Sequence, residues 1–387
     1  MSAFIIPQSF IGRSYAEQHF SQIVQFAAEH HPYYRRVIAS NPSIPILTRE
    51  ILQKNNLELL NGNPVTGTTS GATSMPVRTH WSKQRIDLDA KDSSFYAGCL
   101  GGRLPHAKIV ALASHKAKPN NFEVAAPVAE QWVFLRDQIN QGVRSLVSYP
   151  TNLVQLANYL IQNEQQVLEL QRIICMSELF ESSQEAIIRK AFPNAQIAAT
   201  YSSTEVGMIA VRCPHQPENY HIMAHKLGLE FLNADGEPCQ DGELGQIIVT
   251  DYFNRKMPLI RYAIGDMAAP SVCPCGKIPL PALTKLLGKT RGLLKHPDGG
   301  YVYSTALSTI IRDIDGIGQF QVQQIDANHF VCRVVAQEGA DRTIIESQLF
   351  ALFTKNFGNS IVVNFDWCAN IPRLPGGKYM EFIGLMN

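Results

Sequence analysis

Cysteine is scarce in this chain, with eight in 387 residues, too few for a disulfide framework. In a reducing compartment, clustered cysteines point instead to metal binding, and only Cys213, Cys273 and Cys275 sit in such a context. No apolar run approaches the roughly 18 residues of a membrane span. The N-terminus also lacks a basic stretch followed by an apolar core and a cleavage site. A cytoplasmic protein without a membrane partner is the expectation. Charge of one sign is missing too: the formal net charge is +1, and no block of Lys and Arg alternates with aromatic residues. The electrostatic footprint of a nucleic-acid binder is therefore absent. No P-loop segment follows a strand, which disfavours that class of NTPase. Repeats and low-complexity tracts are absent as well. What is present is 45% hydrophobic and 17% charged residues, the composition of a globular chain long enough for two or three domains, or for a large domain carrying a small one.

Residues 14 to 60 read as helices broken by His31-Pro32 and by the Asn41-Pro42-Ser43-Ile44-Pro45 turn, with Thr48-Arg49-Glu50 opening a further capped helix. From Lys108 onward, apolar runs at Ile109–Leu112 and Ile173–Met176 alternate with helical patterns at Asn152–Gln162 and Ser183–Ala191. That alternation predicts an α/β sheet layered with helices. Around 227 to 250 the pattern changes to a small β meander with a turn at Asn233-Ala234-Asp235-Gly236. Beyond Leu287, strands near Phe320–Val322 and His329–Val335 and a helix over Arg342–Phe357 read as a separate α+β domain.

Four short segments carry chemistry. Thr66 to Pro76 packs hydroxyls and glycines together, the composition of a surface linker or of a loop whose N–H and O–H donors wrap polyphosphate. Tyr201-Ser202-Ser203-Thr204-Glu205 follows the strand-like Ile197-Ala198-Ala199. It reads either as a capped helix start or as an aromatic and a Mg²⁺-binding carboxylate at a strand's C-terminal end. In Pro258 to Asp266 a strand is expected to end at Gly265-Asp266, where an aspartate can accept two ribose hydroxyls or simply close a turn. Finally, Arg373-Leu374-Pro375-Gly376-Gly377-Lys378 presents a lysine on a glycine turn, either solvated or able to move to an anion. Separately, Cys213, His221, Cys273 and Cys275 offer three thiolates and an imidazole for a tetrahedral ion, with His215 as an alternative to His221. Cys99, Cys175, Cys239, Cys332 and Cys368 read as small buried hydrophobes.

In this order the segments resemble the adenylate-forming superfamily of acyl-CoA synthetases and adenylation domains. Thr69 to Pro76 is similar to the family's Ser/Thr-rich phosphate loop and Tyr201 to Glu205 to its Tyr-Gly-x-Thr-Glu segment. Tyr262 to Asp266 is similar to Tyr-Arg-Thr-Gly-Asp, and Gly377-Lys378 to the segment of the C-terminal catalytic lysine. Within the superfamily, His31 to Arg36, Ile44 to Glu50, Met257 to Tyr262 and Cys273-Pro274-Cys275-Gly276 resemble phenylacetate-CoA ligases, coenzyme F390 synthetases and related capsule-locus proteins. The similarity runs over nearly the whole chain, although residues 80 to 145 match poorly.

The resemblance implies an α/β fold: a large N-terminal domain of layered sheets and helices with a small β-barrel-like part, plus a small C-terminal α+β domain. It implies an adenylation domain over 1–287, with a zinc-bearing segment at 213–276, and a mobile domain over 288–387 carrying the catalytic Lys378. The implied reaction is ATP-dependent activation of a small carboxylic acid, with aromatic acids among the candidates, to an acyl-adenylate, followed by transfer to CoA. Transfer to an amine or to a carrier-protein thiol, or a retired nucleotide-binding paralogue, are the alternatives. Thr69, Ser70, Gly71, Ala72 and Thr73 are then expected on the phosphates, Tyr201, Ser202 and Thr204 around the nucleotide, Asp266 on the ribose, Lys289 at the hinge and Glu205 on Mg²⁺. The acid pocket is expected to draw on Tyr96, Ser177, Glu178 and Ala199, with Phe95 beside them. Cys213, His221, Cys273 and Cys275 are expected to hold a structural Zn²⁺. Departures from the family pattern are Met75 where a lysine is usual, Ser74 and Ser202 in place of glycines, Lys289 in place of arginine, and Arg291-Gly292 in place of an acidic pair.

Overall fold

The computed structural model describes residues 13–41, 43–69, 76–112, 118–289, 293–374 and 377–385. The chain forms two compact units, one from Met1–Pro105, Arg172–Leu179 and Gln196–Gly288, the other from His106–Gln171, Phe180–Ala195 and Lys289–Asn387. Both are mixed α/β, as expected.

In the first unit the N-terminal helices are Arg13–His30, Pro32–Ser40, Arg49–Lys54 and Asn56–Leu60. Pro32 occupies a first turn, where its missing N–H has no helical partner to lose. Thr48 caps the third helix by accepting from the Ile51 N–H at 3.2 Å. The strands of this unit lie in the order Leu227–Leu232, Gly245–Asp251, Tyr262–Ser271, Ala282–Lys289, Tyr220–Ile222, Gly207–Arg212, Gln196–Ser203, Arg172–Cys175. The meander pairs Leu227–Leu232 antiparallel with Gly245–Asp251, Leu229 opposite Val249. Its turn is closed by the Asn233 side chain, which accepts the Asp235 and Glu237 N–H groups.

Two local readings change. The strand expected to stop before Tyr201 runs on to Ser203, and a hairpin turn, not a helix, leads back into Gly207–Arg212. Its ladder is irregular between Tyr201 and Ser202. Likewise Gly265-Asp266 does not end a strand but lies within Tyr262–Ser271. Gly265 there has φ +85°, a conformation glycine adopts without strain. Pairing with Gly245–Asp251 shifts register across this point, so Ala263 and Met267 oppose Ile248 and Gln246.

Helix Lys83–Cys99, which the sequence patterns did not reveal, ties the hairpin to the meander through buried charge. Arg85 is fully buried between Asp251 at 2.6 Å and Asp89 at 2.7 Å. Lys226, also fully buried, pairs with Asp89 and Asp92. Asp89 in addition accepts the Met208 N–H at 3.2 Å, two residues into the strand that follows the hairpin turn.

The second unit contains the parallel strands Ser145–Ser148, His106–Val110 and Asn121–Glu123, in that order, with helices Val128–Asn140, Pro150–Gln162 and Ser182–Ala191. It also contains a sheet ordered Val362–Trp367, His329–Ala336, Ile317–Gln324, Phe382–Ile383, with helices Ser304–Arg312 and Arg342–Phe357. Phe330, Phe353, Phe357, Leu349 and Val334 fill the core of that part. Among the described residues no helix is long and apolar enough to cross a membrane.

Removing one partner of a buried ion pair leaves an uncompensated charge. Lys226→Ala is expected to lower stability by about 3–5 kcal/mol in denaturant unfolding, whereas substitution of the exposed Arg36–Glu58 pair should cost under about 1 kcal/mol. Equal effects would refute a structural role for the buried cluster.

Candidate active site

Two segments far apart in sequence meet in the first unit through a reciprocal pair of hydrogen bonds. The Tyr201 hydroxyl donates to Asp266 Oδ2 at 2.6 Å, and the Tyr262 hydroxyl donates to Glu205 Oε1 at 3.2 Å. Burial, and then the adjacent carboxylates Asp266 and Glu205, push both phenols above the ordinary tyrosine range. They stay protonated and act as donors. Because Tyr201 and Asp266 are both buried, the bond fixes the hairpin strand against Tyr262–Ser271.

A third segment reaches the same place. Leu47 bridges in parallel to Tyr262, with its N–H on the Arg261 carbonyl at 2.9 Å and its carbonyl accepting from Ala263 at 3.0 Å. This brings in the helix that starts at Arg49. Arg49 Nη1 lies 3.0 Å from Glu205 Oε1, and its Nη2 donates to Thr69 Oγ1 at 3.1 Å. The sequence marks Arg49 only as part of a helix start. That cap is correct, but what the guanidinium faces depends on the Leu47–Tyr262 pairing, for which no local signal exists.

Thr69 closes the mouth of the hydroxyl-rich segment. Its N–H bonds the Val77 carbonyl at 2.9 Å, its hydroxyl accepts the Val77 N–H at 2.9 Å, and Gly67–Thr68 pairs antiparallel with Arg78–Thr79. Ser70, Gly71, Ala72 and Thr73, with Ser74 and Met75, lie outside the described residues. Thr204 is exposed in the hairpin turn beside Gly67, and Ser202 pairs with Met208. Lys289 ends the strand Ala282–Lys289, and its side chain lies outside the described set. Both contacts to Glu205 land on Oε1, so among the described residues Oε2 is left for a further ligand. A single carboxylate oxygen of this kind suits a hard cation such as Mg²⁺.

Of the residues expected to line an acid pocket, Tyr96 and Ala199 are brought together. The Tyr96 hydroxyl donates to the Arg212 carbonyl at 2.9 Å and accepts the Ala199 N–H at 3.3 Å. It is thus engaged by backbone within a cluster with Leu100, Ala198, Val211 and Met223. Ser177, at φ +66°, and Glu178 follow the strand Arg172–Cys175, in which Cys175 is level with Ala199. Phe95 is exposed. Lys378 belongs to the second unit, where its carbonyl accepts the Leu374 N–H at 2.9 Å. Among the described residues its ammonium forms no ion pair.

Cys213, His221, Cys273 and Cys275 converge, with one donor atom from each lying within 4.8 Å of all the others. His215 is not part of the group. Cys275 Sγ is 3.6 Å from His221 Nε2, and the Lys277 N–H points at the same sulfur at 3.5 Å. His221 Nδ1 faces the Leu280 carbonyl at 3.3 Å. A proton on Nδ1 leaves the Nε2 lone pair directed at the sulfurs, the usual support of a metal-bound histidine. Burial lowers His221, favouring the neutral ring, and pushes the Cys273 thiol up to about 12. Three thiols so close cannot all ionise without a cation, and the soft S₃N donor set fits Zn²⁺. Of the remaining cysteines, Cys175 and Cys332 are buried, while Cys99, Cys239 and Cys368 are partly exposed.

Comparison with known proteins agrees with this architecture. The CapK C-terminal domain family matches residues 294–383. Protein CapK of Staphylococcus aureus is 27% identical over 249 residues, covering 60% of this chain and 51% of that protein. Phenylacetate-coenzyme A ligase of Thermus thermophilus is 23% identical over 202 residues, covering 46% of this chain and 45% of that protein. The chain spans about half the length of the curated relatives it matches. A crystal structure of 2-hydroxyisobutyryl-CoA ligase, in the postadenylation state in complex with R3-HIB-AMP, is similar with a TM-score of 0.72 at 15% identity, over 96% of this chain and 89% of that one. The chain therefore carries a CapK-like C-terminal domain, is homologous to CapK and phenylacetate-CoA ligase, and shares the fold of 2-hydroxyisobutyryl-CoA ligase.

Protein purified without chelator is expected to contain equimolar zinc by elemental analysis. Cys275→Ser should lose it and lower the thermal midpoint by roughly 5 °C or more. Because thiolate ligands must shed protons, zinc retention should fall as the pH is lowered. A zinc-free protein of unchanged midpoint would rule the site out.

Proposed function

We propose that this homologue of CapK and phenylacetate-CoA ligase is a cytoplasmic AMP-forming ligase that activates a small carboxylic acid with ATP and passes the acyl group to CoA. The observation that carries this reading is the side-chain chain Thr69–Arg49–Glu205–Tyr262 beside the Tyr201–Asp266 pair, the two sets linked through the segments that carry Tyr201 with Glu205 and Tyr262 with Asp266. It joins the mouth of a hydroxyl-rich loop to two carboxylates held by protonated phenols. In the first step a substrate carboxylate oxygen attacks the α-phosphorus of ATP, the bond from that phosphorus to the bridging oxygen breaks, and pyrophosphate leaves. In the second, a thiol attacks the acyl carbon and AMP leaves.

The residues have to manage negative charge. Thr69 and the loop residues Ser70, Gly71, Ala72 and Thr73 donate to the polyphosphate, and Asp266 accepts from the ribose while Tyr201 lies at the adenine side. Arg49 holds Glu205 at the edge of the phosphate loop through its second contact with Thr69. Glu205 Oε2 would hold Mg²⁺, which when bound offsets charge on the phosphates. Lys378 contributes a further positive charge during adenylation, carried by a domain over 288–387 that moves about a hinge near Lys289. Zinc held by Cys213, His221, Cys273 and Cys275 is structural, bracing the strands of the first unit.

Pyrophosphate exchange into ATP across a panel of small aromatic and aliphatic acids tests the reading. Exchange with at least one acid is expected. Lys378→Ala should slow it by roughly 10² or more, with ATP still bound. An unaffected rate would remove the lysine from the mechanism, and ATP binding without exchange for any acid would leave a nucleotide-binding protein in place of a ligase.

A further inference from the structure

The lysine-bearing turn is held by an arginine that the proposed chemistry does not use. Residues 379–383 are anchored on the C-terminal sheet: the Tyr379 hydroxyl donates to the Phe320 carbonyl, the Val322 N–H bonds the Glu381 carbonyl at 2.7 Å, and Phe382 pairs with Val322. Gly377 and Lys378 come immediately before this anchored stretch. Gly377 donates to the Leu374 carbonyl at 2.7 Å and Leu374 to the Lys378 carbonyl at 2.9 Å, closing a small loop. Arg373 fixes this loop to helix Pro150–Gln162. Its Nη1 donates to Thr151 Oγ1 at 2.9 Å and to the Gly377 carbonyl at 3.2 Å, and its Nη2 donates to Gln155 Oε1 at 3.0 Å. Thr151 and Gln155 are four residues apart and share one helix face, so one planar guanidinium reads both and the loop's own backbone at once. Its carbon also lies 6.0 Å from the Tyr149 ring centroid and 5.8 Å from that of Tyr379.

Steric contact at the next residue points the same way. Gly377 has φ +80°, and a Cβ there would stand 2.5 Å from the Tyr149 hydroxyl and 2.9 Å from Ala111 Cβ. The backbone immediately before Lys378 is thus pressed against the residue that caps Pro150–Gln162. A second attachment lies elsewhere in the same unit. Arg312, at the end of Ser304–Arg312, pairs with both Glu181 and Glu381 and donates to Ser183 Oγ at 2.9 Å. Glu181 caps helix Ser182–Ala191, and Glu381 lies three residues beyond Lys378.

We propose that Arg373 is a positioning residue for Lys378: by gripping Thr151, Gln155 and the Gly377 carbonyl together, it holds the lysine turn in one docked pose that the adenylation step uses. The inference rests on the ligase reading for its catalytic consequence, but the docking itself does not. Undocking would require breaking the Arg373 contacts, so the same arginine limits how readily the turn leaves.

The test uses the full-length chain with Thr151→Val/Gln155→Leu, which removes the helix-side partners while leaving Arg373 and the loop intact, alongside Arg373→Ala. Hydrogen–deuterium exchange of peptides spanning 371–381 needs no substrate. Exchange at Gly377 to Tyr379 should become about tenfold faster or more in both variants, with the remainder of the chain unchanged. Unchanged protection would overturn the docking. With an acid that supports pyrophosphate exchange, either variant should lower kcat by roughly 10- to 10²-fold at constant KM for ATP, and should cost nothing further in a Lys378→Ala background. Equal losses in both backgrounds would show that Arg373 acts on stability and not through Lys378. Absence of exchange in the parent protein would count against the ligase reading, while the deuterium measurement would still decide the docking.

Discussion

The candidate site rests on charge buried beneath it. Lys226 and Arg85 have no exposure to water, and they are matched by Asp89, Asp92 and Asp251. A buried ammonium or guanidinium persists only when its partners are close and held in place. Helix Lys83–Cys99 therefore cannot slide past the strands at Leu227–Leu232 and Gly245–Asp251 without stranding one of these groups. Asp89 passes that constraint on through the Met208 N–H to the hairpin that presents Glu205. His225, with Nε2 2.8 Å from Asp92, completes the cluster at its solvent edge.

Above this base, the site is organised by exchange of partners between segments. Tyr201 serves Asp266 while Tyr262 serves Glu205, so each carboxylate accepts a hydrogen bond from the other segment's tyrosine. Each phenol is kept protonated by burial and by the anion it faces, which makes the pair mutually reinforcing. Arg49 adds the one cation in direct contact with Glu205 among the described residues and links it to Thr69. Among the described residues, both Arg49 and Tyr262 meet Glu205 at the same oxygen, Oε1.

The second unit solves a different problem, since a lysine on a glycine turn has no intrinsic reason to stay in one place. Glycine at 377 permits close approach to Tyr149, and Arg373 turns that approach into a defined pose. Arg312 performs an equivalent task for helices Ser304–Arg312 and Ser182–Ala191, in its case with paired carboxylates, Glu181 and Glu381. Planar guanidinium groups suit such junctions because a single side chain can satisfy several acceptors at fixed angles.

Much of the fold is legible in the sequence because its signals are local. Pro32, the Thr48 cap, the Asn233 to Gly236 turn and the periodic helix Arg342–Phe357 each depend on neighbours within a few residues. The Cys213, His221, Cys273 and Cys275 set is legible as residue types, although choosing His221 over His215 required the strand Tyr220–Ile222 to be in place. Local signals left Tyr201 to Glu205 open between a capped helix start and a strand's C-terminal end, and misread Gly265-Asp266 as a terminus. A hairpin and an irregular strand ladder are set by pairing with Gly207–Arg212 and Gly245–Asp251, not by the segments themselves. By itself, then, the sequence determined the element types where their signals are local, the order of the chemical segments and the residue types of the candidate metal site. Only the tertiary structure decided that Arg49 meets Glu205, that Tyr201 and Tyr262 cross to each other's carboxylates, and that Arg373 grips helix Pro150–Gln162. Those contacts join residues 57 to 222 positions apart, a separation at which side-chain periodicity carries no information and only packing and buried charge select the partner.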